Sequence, residues 1–182
     1  MIQEYMQKAL RPWGVPLLGC IPLDNLLSIP SFADLQKLFQ GTMLSGQARM
    51  LSHFTQIRLA AASTPFFKET LEGNPIIITP AHREDIILAT LAKVWEPQLL
   101  NQNSRFHSAL ILTGSLPPRS FITDELKKVN IPSFYTPLHS DQVLKKINAF
   151  TAKIQKDDQE KILEAISVVE ENLDFDLLLS RL

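Results

Sequence analysis

The feature that most constrains the fold is an alternation of apolar strands and amphipathic helices that starts near residue 55. Strands are predicted at 57–62, 76–79, 109–113 and 131–136. Helical patterns follow them at 64–71, 83–94, 120–129 and from Ser140 onward. Repeating strand–helix units of this length are typical of a parallel sheet. The strands are near-continuous Ile and Leu runs, which predicts helices on both faces. We therefore expect an α/β fold, a three-layer unit with a mainly parallel sheet.

The flanking segments give weaker patterns. Residues 2–10 are compatible with a helix, 15–21 with a buried strand between two prolines, and 22–31 with a loop. Ser31 is predicted to cap a helix that ends at Phe39. The segment 97–107 is polar and predicts a loop. Asp157 and Glu160 have the spacing of a capping box at the start of the last helix.

Charge and composition exclude several classes of function. The chain has 18 basic and 19 acidic residues, so it lacks the basic excess of nucleic-acid-binding proteins. No apolar run has the length of a membrane span, and we expect no membrane partner. Cys20 is the only cysteine, which favours a reducing compartment, the cytoplasm. The four histidines lack metal-ligand spacing and no phosphate-loop motif occurs, so we predict neither a metal nor a cofactor.

Two segments follow predicted strands and are candidates for a ligand site, 79–85 and 113–118. Ligands of open parallel sheets bind beyond the carboxyl ends of the strands, where helix N-termini favour anions. Arg83 has the chemistry to clamp a phosphate or carboxylate with two hydrogen bonds. The alternative is that Arg83 pairs with Glu84 or Asp85, or with another chain. Catalysis by His82, oriented by Asp85, is a third interpretation.

The same segments carry a family resemblance. Residues 79–91, TPAHREDIILATL, resemble the "TPGDRxDIIxAAL" segment of the DRTGG domain family. Residues 110–114, LILTG, followed by Ser115, resemble its "LTGG" segment. The resemblance covers about residues 40–174 and implies a fold similar to the N-terminal domain of HPr kinase. Ala81, His82 and Ser115 replace a glycine, an aspartate and a glycine of the family pattern.

The N-terminal segment carries a second resemblance. Residues 14–31, GVPLLGCIPLDNLLSIPS, are similar to the end of a dethiobiotin-synthetase-like P-loop domain. Such a domain precedes the DRTGG domain in the N-terminal regulatory half of long-form bacterial phosphate acetyltransferase. The resemblance implies that 1–39 end a P-loop domain, that 40–174 form the DRTGG domain, and that 175–182 are a tail or a linker to a catalytic domain.

The resemblance implies a regulatory or oligomerisation domain without catalytic residues. The parent enzyme would interconvert acetyl-CoA and phosphate with acetyl phosphate and CoA. The expected partners are further copies of the chain and a nucleotide or metabolite effector. The expected ligand-binding residues are Thr79, Ala81, His82, Arg83, Thr113, Gly114 and Ser115. The alternative is a stand-alone structural dimerisation module that binds no small molecule, which the three substitutions favour.

Overall fold

A computed structural model describes residues 2–99 and 106–180 of the chain. The chain forms two compact units. One unit, here called the end unit, joins Met1–Ser28 with Ile154–Leu182. The other, the sheet unit, is Ile29–Lys153.

The sheet unit is built on five strands, β1 Thr42–Ser45, β2 Gln56–Leu59, β3 Pro75–Pro80, β4 Ala109–Thr113 and β5 Ser133–Thr136. Their order in the sheet is β1-β5-β4-β3-β2. The strands β2 to β5 are parallel, and β1 pairs antiparallel with β5 through a register shift between Met43 and Ser45. The predicted α/β class with a mainly parallel sheet is confirmed. The likeness to the HPr kinase domain stays a prediction.

The described helices are α1 Ile2–Leu10, α2 Asn25–Ser28, α3 Phe32–Phe39, α4 Thr64–Glu69, α5 Glu84–Leu99, α6 Ser120–Val129, α7 Ser140–Asn148, α8 Gln159–Asn172 and α9 Phe175–Leu179. Helices cover both faces of the sheet. Ile77 and Leu110 share one core with side chains of α4, α5 and α6. Ile76, Ile111 and Phe134 share the other core with side chains of α3 and α7. Each central strand therefore buries both of its faces, as its unbroken apolar run predicted.

Parallel strands bring their carboxyl ends to one edge of the sheet. The chain leaves β3, β4 and β5 at this edge and enters α5, α6 and α7 respectively. The N-termini of these three helices therefore lie at the same edge.

The end unit contains α1, α2, α8 and α9. It joins the two ends of the chain through a bridge between Gly19 and Leu173 and a hydrogen bond of 2.7 Å from Asp174 N to Leu18 O. The predicted strand at 15–21 is wrong, because only Gly19 of this segment pairs with another backbone segment, in a single isolated bridge. All buried apolar side chains of the described residues lie between Phe32 and Ile147, in the sheet unit.

Several element boundaries differ from those predicted. The N-cap of α7 is His139 rather than Ser140, and the N-cap of α8 is Asp158, whose side chain accepts from Lys161 N, rather than Asp157. The helix α5 continues to Leu99, into the predicted polar loop at 97–107, and residues 100–105 of that loop lie outside the described residues. The strand β1 and the helices α2 and α9 were not predicted.

Among residues 2–99 and 106–180, no helix has both the length and the apolar character needed to cross a membrane.

Candidate functional site

A cavity of about 490 Å³ lies at the carboxyl ends of β3, β4 and β5. Its lining residues come from the three loops that lead into α5, α6 and α7, namely 80–82 with Glu84, 113–117 with Arg119, and 139–140. The volume falls in the range of about 300–1,000 Å³ that is common for small-molecule sites. The cavity therefore occupies the place where open parallel sheets bind their ligands.

Backbone hydrogen bonds hold the three loops together. Ala81 N donates to Thr113 O at 2.8 Å, and Gly114 N donates to Leu138 O at 2.8 Å. The Tyr135 hydroxyl donates to Gly114 O at 2.7 Å. These contacts fix the loops and give the carbonyl groups of Thr113, Gly114 and Leu138 a protein donor each.

Gly114 turns the chain from β4 into the loop before α6. Its φ angle is +112°, a conformation that side-chain-bearing residues rarely adopt. A Cβ atom at this position would have no heavy atom within 4 Å, so backbone conformation rather than crowding favours glycine here. The open space above Gly114 belongs to the cavity that it lines.

A pair of hydroxyl groups lies at the junction of β4 and α7. Thr113 Oγ1 and Ser140 Oγ are 2.6 Å apart, and either oxygen can donate to the other. Thr113 is only 1% exposed. Because one hydrogen bond uses only one of the two hydroxyl protons, the pair keeps a second O–H group that is able to donate.

The charged residues that line the cavity are Glu84 at the start of α5 and Arg119 directly before α6. Arg119 Nε donates to Glu84 Oε1 at 2.5 Å, and its Nη2 donates to Glu84 Oε2. The guanidinium lowers the pKa of Glu84, and the carboxylate raises the pKa of Arg119. The Arg119 side chain remains 75% exposed and the Glu84 side chain 21%, so the arginine keeps most of its access to solvent.

Arg83 is bound on the outside of this site. Its Nε and Nη2 donate to the two carboxylate oxygens of Asp85 at 2.9 and 2.8 Å, and Nη2 also donates to Ala62 O at 3.2 Å. The Thr64 hydroxyl donates to Asp85 as well. Hydrogen bonds from Arg83 and Thr64 hold the pKa of Asp85 well below its usual range. Arg83 thus links the start of α5 to the chain before α4.

The structure brings most of the predicted site residues together. Ala81, His82, Thr113, Gly114 and Ser115 all line the cavity. Thr79 and Arg83 do not, since Thr79 is fully buried in the sheet and Arg83 is held by Asp85. The catalytic interpretation required Asp85 to bind His82. Among the described residues, the Asp85 carboxylate is instead bound by Arg83 and Thr64.

Sequence reasoning missed Arg119, His139 and Ser140 as lining residues. The predicted helix starts near 120 and 140 were a signal for all three, because residues at helix starts gather at the carboxyl edge of a parallel sheet. The pairing of Arg119 with Glu84, 35 positions away, had no signal in a single sequence.

Comparison with known proteins identifies the family of the sheet unit. The model of the DRTGG domain matches residues 34–150. The chain belongs to the DRTGG domain family.

The chain is similar to a segment of several longer proteins. A phosphate acetyltransferase of Nitratidesulfovibrio vulgaris is 28% identical over 165 residues, which is 89% of this chain. Phosphate acetyltransferases of Acinetobacter baylyi and Pseudomonas aeruginosa are each 24% identical over 95% and 91% of this chain. The match spans only 23% of the length of each of these relatives.

A solved structure shares the fold of this DRTGG chain. It contains the CBS and DRTGG domains of the regulatory region of Clostridium perfringens pyrophosphatase, complexed with its activator, diadenosine tetraphosphate. The TM-score is 0.54 at 17% sequence identity, and the match covers 90% of this chain and 81% of the other. The likeness is therefore one of fold.

Proposed function

We propose that this chain is a non-catalytic regulatory domain that binds a small effector in the cavity beyond β3, β4 and β5. The observation that carries the proposal is the cavity itself, formed at the switch from parallel strands to α5, α6 and α7. Ala81, His82, Thr113, Gly114 and Ser115 form its ligand surface. Of the other two expected residues, Thr79 is buried in the sheet and Arg83 is held by Asp85.

The enzyme that this domain regulates is a phosphate acetyltransferase, which exchanges acetyl-CoA and phosphate with acetyl phosphate and CoA. Three relatives with that name match nearly the whole of this chain, including residues of both units. In this proposal the chain corresponds to a regulatory segment from the N-terminal part of such an enzyme, with 1–39 ending a P-loop domain and 40–174 forming the DRTGG domain. The single cysteine supports a cytoplasmic location.

A nucleotide is the first effector to test. The structural neighbour is complexed with a dinucleotide activator, and the cavity here combines polar helix starts with the apolar side chains of Leu116 and Pro117. Regulation requires that the effector bind more tightly to one conformational or assembly state of the enzyme than to another.

Calorimetry and thermal unfolding of the whole chain test the proposal. The compounds are ATP, ADP, AMP, adenosine, diadenosine tetraphosphate, NADH, acetyl-CoA and pyruvate. A compound that binds only the folded chain stabilises it by about 2.7 kcal/mol at 100 times its Kd. If none of the compounds binds or raises the melting temperature, the proposal is wrong.

Two matched threonine variants locate the site. Thr113→Val removes a hydroxyl group that lines the cavity, whereas Thr79→Val removes a buried hydroxyl of the adjacent strand that does not line it. We expect Thr113→Val to weaken effector binding and Thr79→Val to leave it unchanged. Equal effects of the two variants would place the ligand elsewhere.

The second candidate function is a structural module that dimerises and binds no small molecule. Exposed apolar side chains of the end unit favour it, among them Ile2 at 75%, Trp13 at 81% and Leu179 at 66% exposure. Exposed apolar surface of this kind is typical of a surface that another protein covers. This function predicts self-association without any response to the compounds above.

A further inference from the structure

We infer that the cavity binds a phosphate-bearing ligand, and that Arg119 exchanges its contact with Glu84 for that phosphate. The inference rests on the proposed function and names the ligand class and the residue that recognises it. Three features support it: a hydroxyl group at the cavity that is able to donate, the uncapped start of α6 directly after Arg119, and the exposed arginine itself.

One of the polar groups at the cavity is a hydroxyl that is able to donate. The carbonyl oxygens of Thr113, Gly114 and Leu138 already accept hydrogen bonds from the protein. The hydroxyl pair of Thr113 and Ser140 retains an O–H group that can donate, and Thr113 is 99% buried. A phosphate oxygen is a suitable acceptor for this hydroxyl group.

The backbone N–H groups at the start of α6 directly follow Arg119, a residue of the cavity lining. Its N-cap is Arg119, and this residue makes no side-chain cap hydrogen bond. By contrast, α3 has a complete capping box formed by Ser31 and Asp34. The first N–H groups of a helix require an acceptor and carry the positive end of the helix dipole, so the α6 start favours an anion.

Glu84 is the competing acceptor in the cavity. It is the lining carboxylate, it begins α5, and both of its oxygens bind Arg119. An arginine presents the same pair of N–H groups to a phosphate as to a carboxylate. Because the Arg119 side chain is 75% exposed, it can turn from Glu84 to a ligand without leaving a packed position.

This exchange predicts opposite effects for the two partners of one ion pair. Glu84→Gln removes the competing charge, so the affinity for phosphate groups should increase, whereas Arg119→Gln removes the clamp, so the affinity should fall. An arginine–phosphate contact of this kind corresponds to about tenfold in Kd. Arg119→Lys keeps the charge but loses the paired donors, so its affinity should lie between those of the wild type and Arg119→Gln.

The experiment is calorimetric titration of the whole chain and its variants with inorganic pyrophosphate, ATP and adenosine. The control is Glu125→Gln, which breaks the pair of Glu125 with Lys128 on α6, outside the cavity lining. We expect pyrophosphate and ATP to bind more tightly to Glu84→Gln and about tenfold more weakly to Arg119→Gln, with Glu125→Gln like the wild type. Circular dichroism melts establish that each variant is folded.

The possible results separate this inference from the proposed function. If Glu84→Gln and Arg119→Gln weaken binding equally, the pair only supports the site and the exchange is wrong. If adenosine, pyruvate or another compound without phosphate binds in the cavity while pyrophosphate and ATP do not, the effector function stands and the phosphate inference is overturned. If no compound of either panel binds, both are overturned.

Discussion

At the scale of single residues, the backbone conformation of Gly114 shapes one wall of the cavity. Its φ of +112° lets β4 end and the loop to α6 begin beside the cavity. At Gly46 crowding also requires a glycine. Its φ is +74°, and a Cβ atom there would approach the backbone of Pro132 to within 2.4 Å. Only the first of these positions leaves room for a side chain.

Gly114→Ala should therefore destabilise the chain through its backbone conformation alone. We expect a loss of about 1–2 kcal/mol in the free energy of unfolding, the usual cost of a side chain in this region of φ. Urea denaturation measures it, with Ser115→Ala, at the exposed neighbouring position, as the control. A loss as small as that of Ser115→Ala would show that the loop relaxes into another conformation.

Asp85 makes a pH-dependent contribution to stability. Since its folded pKa is lowered by Arg83 and Thr64, the contribution is present above the unfolded pKa of about 4 and is lost as the pH falls through the folded value. Asp85→Asn should cost about 0.5–1 kcal/mol at pH 7, because solvent screens this exposed pair. Urea denaturation of both chains at several pH values should show the difference shrinking below about pH 4. A difference that widens on acidification would contradict the assignment.

At the scale of elements, the helix starts divide into two kinds. The start of α3 is closed by Ser31, whose Oγ accepts from Asp34 N at 3.2 Å and donates to the Asp34 carboxylate at 2.8 Å. The start of α6 lacks a side-chain cap among the described residues. The capped start stabilises the fold, whereas the uncapped start lies beside the cavity.

Ser31→Ala should destabilise the chain by about 1–2 kcal/mol, because it removes an N-cap. Ser28→Ala is the matched control, since the Ser28 hydroxyl only donates to Asn25 O at an exposed helix end. Thermal and urea unfolding of both variants measure the difference. Equal stability of the two would mean that water replaces the Ser31 hydroxyl without cost.

Sequence patterns predicted the elements whose own residues determine them. The run of Ile and Leu at 109–113 and the polar–apolar pattern at 120–129 gave β4 and α6 with their observed bounds. The strand β1 was missed because its four residues are defined by pairing with β5, about 90 positions later, and not by their own pattern. The segment 15–21 was apolar enough for a strand but lacks the neighbouring strands that would complete one.

The candidate site was predictable in its place and not in its chemistry. The rule that ligands bind beyond parallel strands located both loops, and five of the seven predicted residues line the cavity: Ala81, His82, Thr113, Gly114 and Ser115. Arg83 pairs with Asp85 instead of lining the cavity, and the positions of the two residues in the sequence do not determine whether their side chains meet. The part of the seven predicted residues in ligand binding stays a prediction.

At the scale of the whole molecule, the apolar surface is distributed unevenly. Buried apolar side chains lie in the sheet unit, while α1 of the end unit has none and exposes Ile2, Tyr5 and Met6. These three residues lie at i, i+3 and i+4, on one face of the helix. An exposed apolar helix face in a unit without its own buried core favours association with another chain.

We therefore expect the chain to form a homo-oligomer that dissociates on dilution. Tyr5→Asp places a charge on the apolar face of α1 and should shift the mass toward that of a monomer, as measured by light scattering. Gln7→Asp adds the same charge to another face of α1 and should leave the mass unchanged. A monomeric wild-type chain at all concentrations would contradict the prediction.

The end unit is built from two segments that are far apart in the sequence, and this has a consequence for biosynthesis. Residues 2–28 leave the ribosome before the sheet unit, but their partners at 154–180 follow only after the entire sheet unit has been made. Closing so long a loop costs conformational entropy, and contacts of this range form late in folding. The sheet unit can thus fold during synthesis before α1 meets its partners, and the apolar face of α1 stays open to chaperones or to another nascent chain.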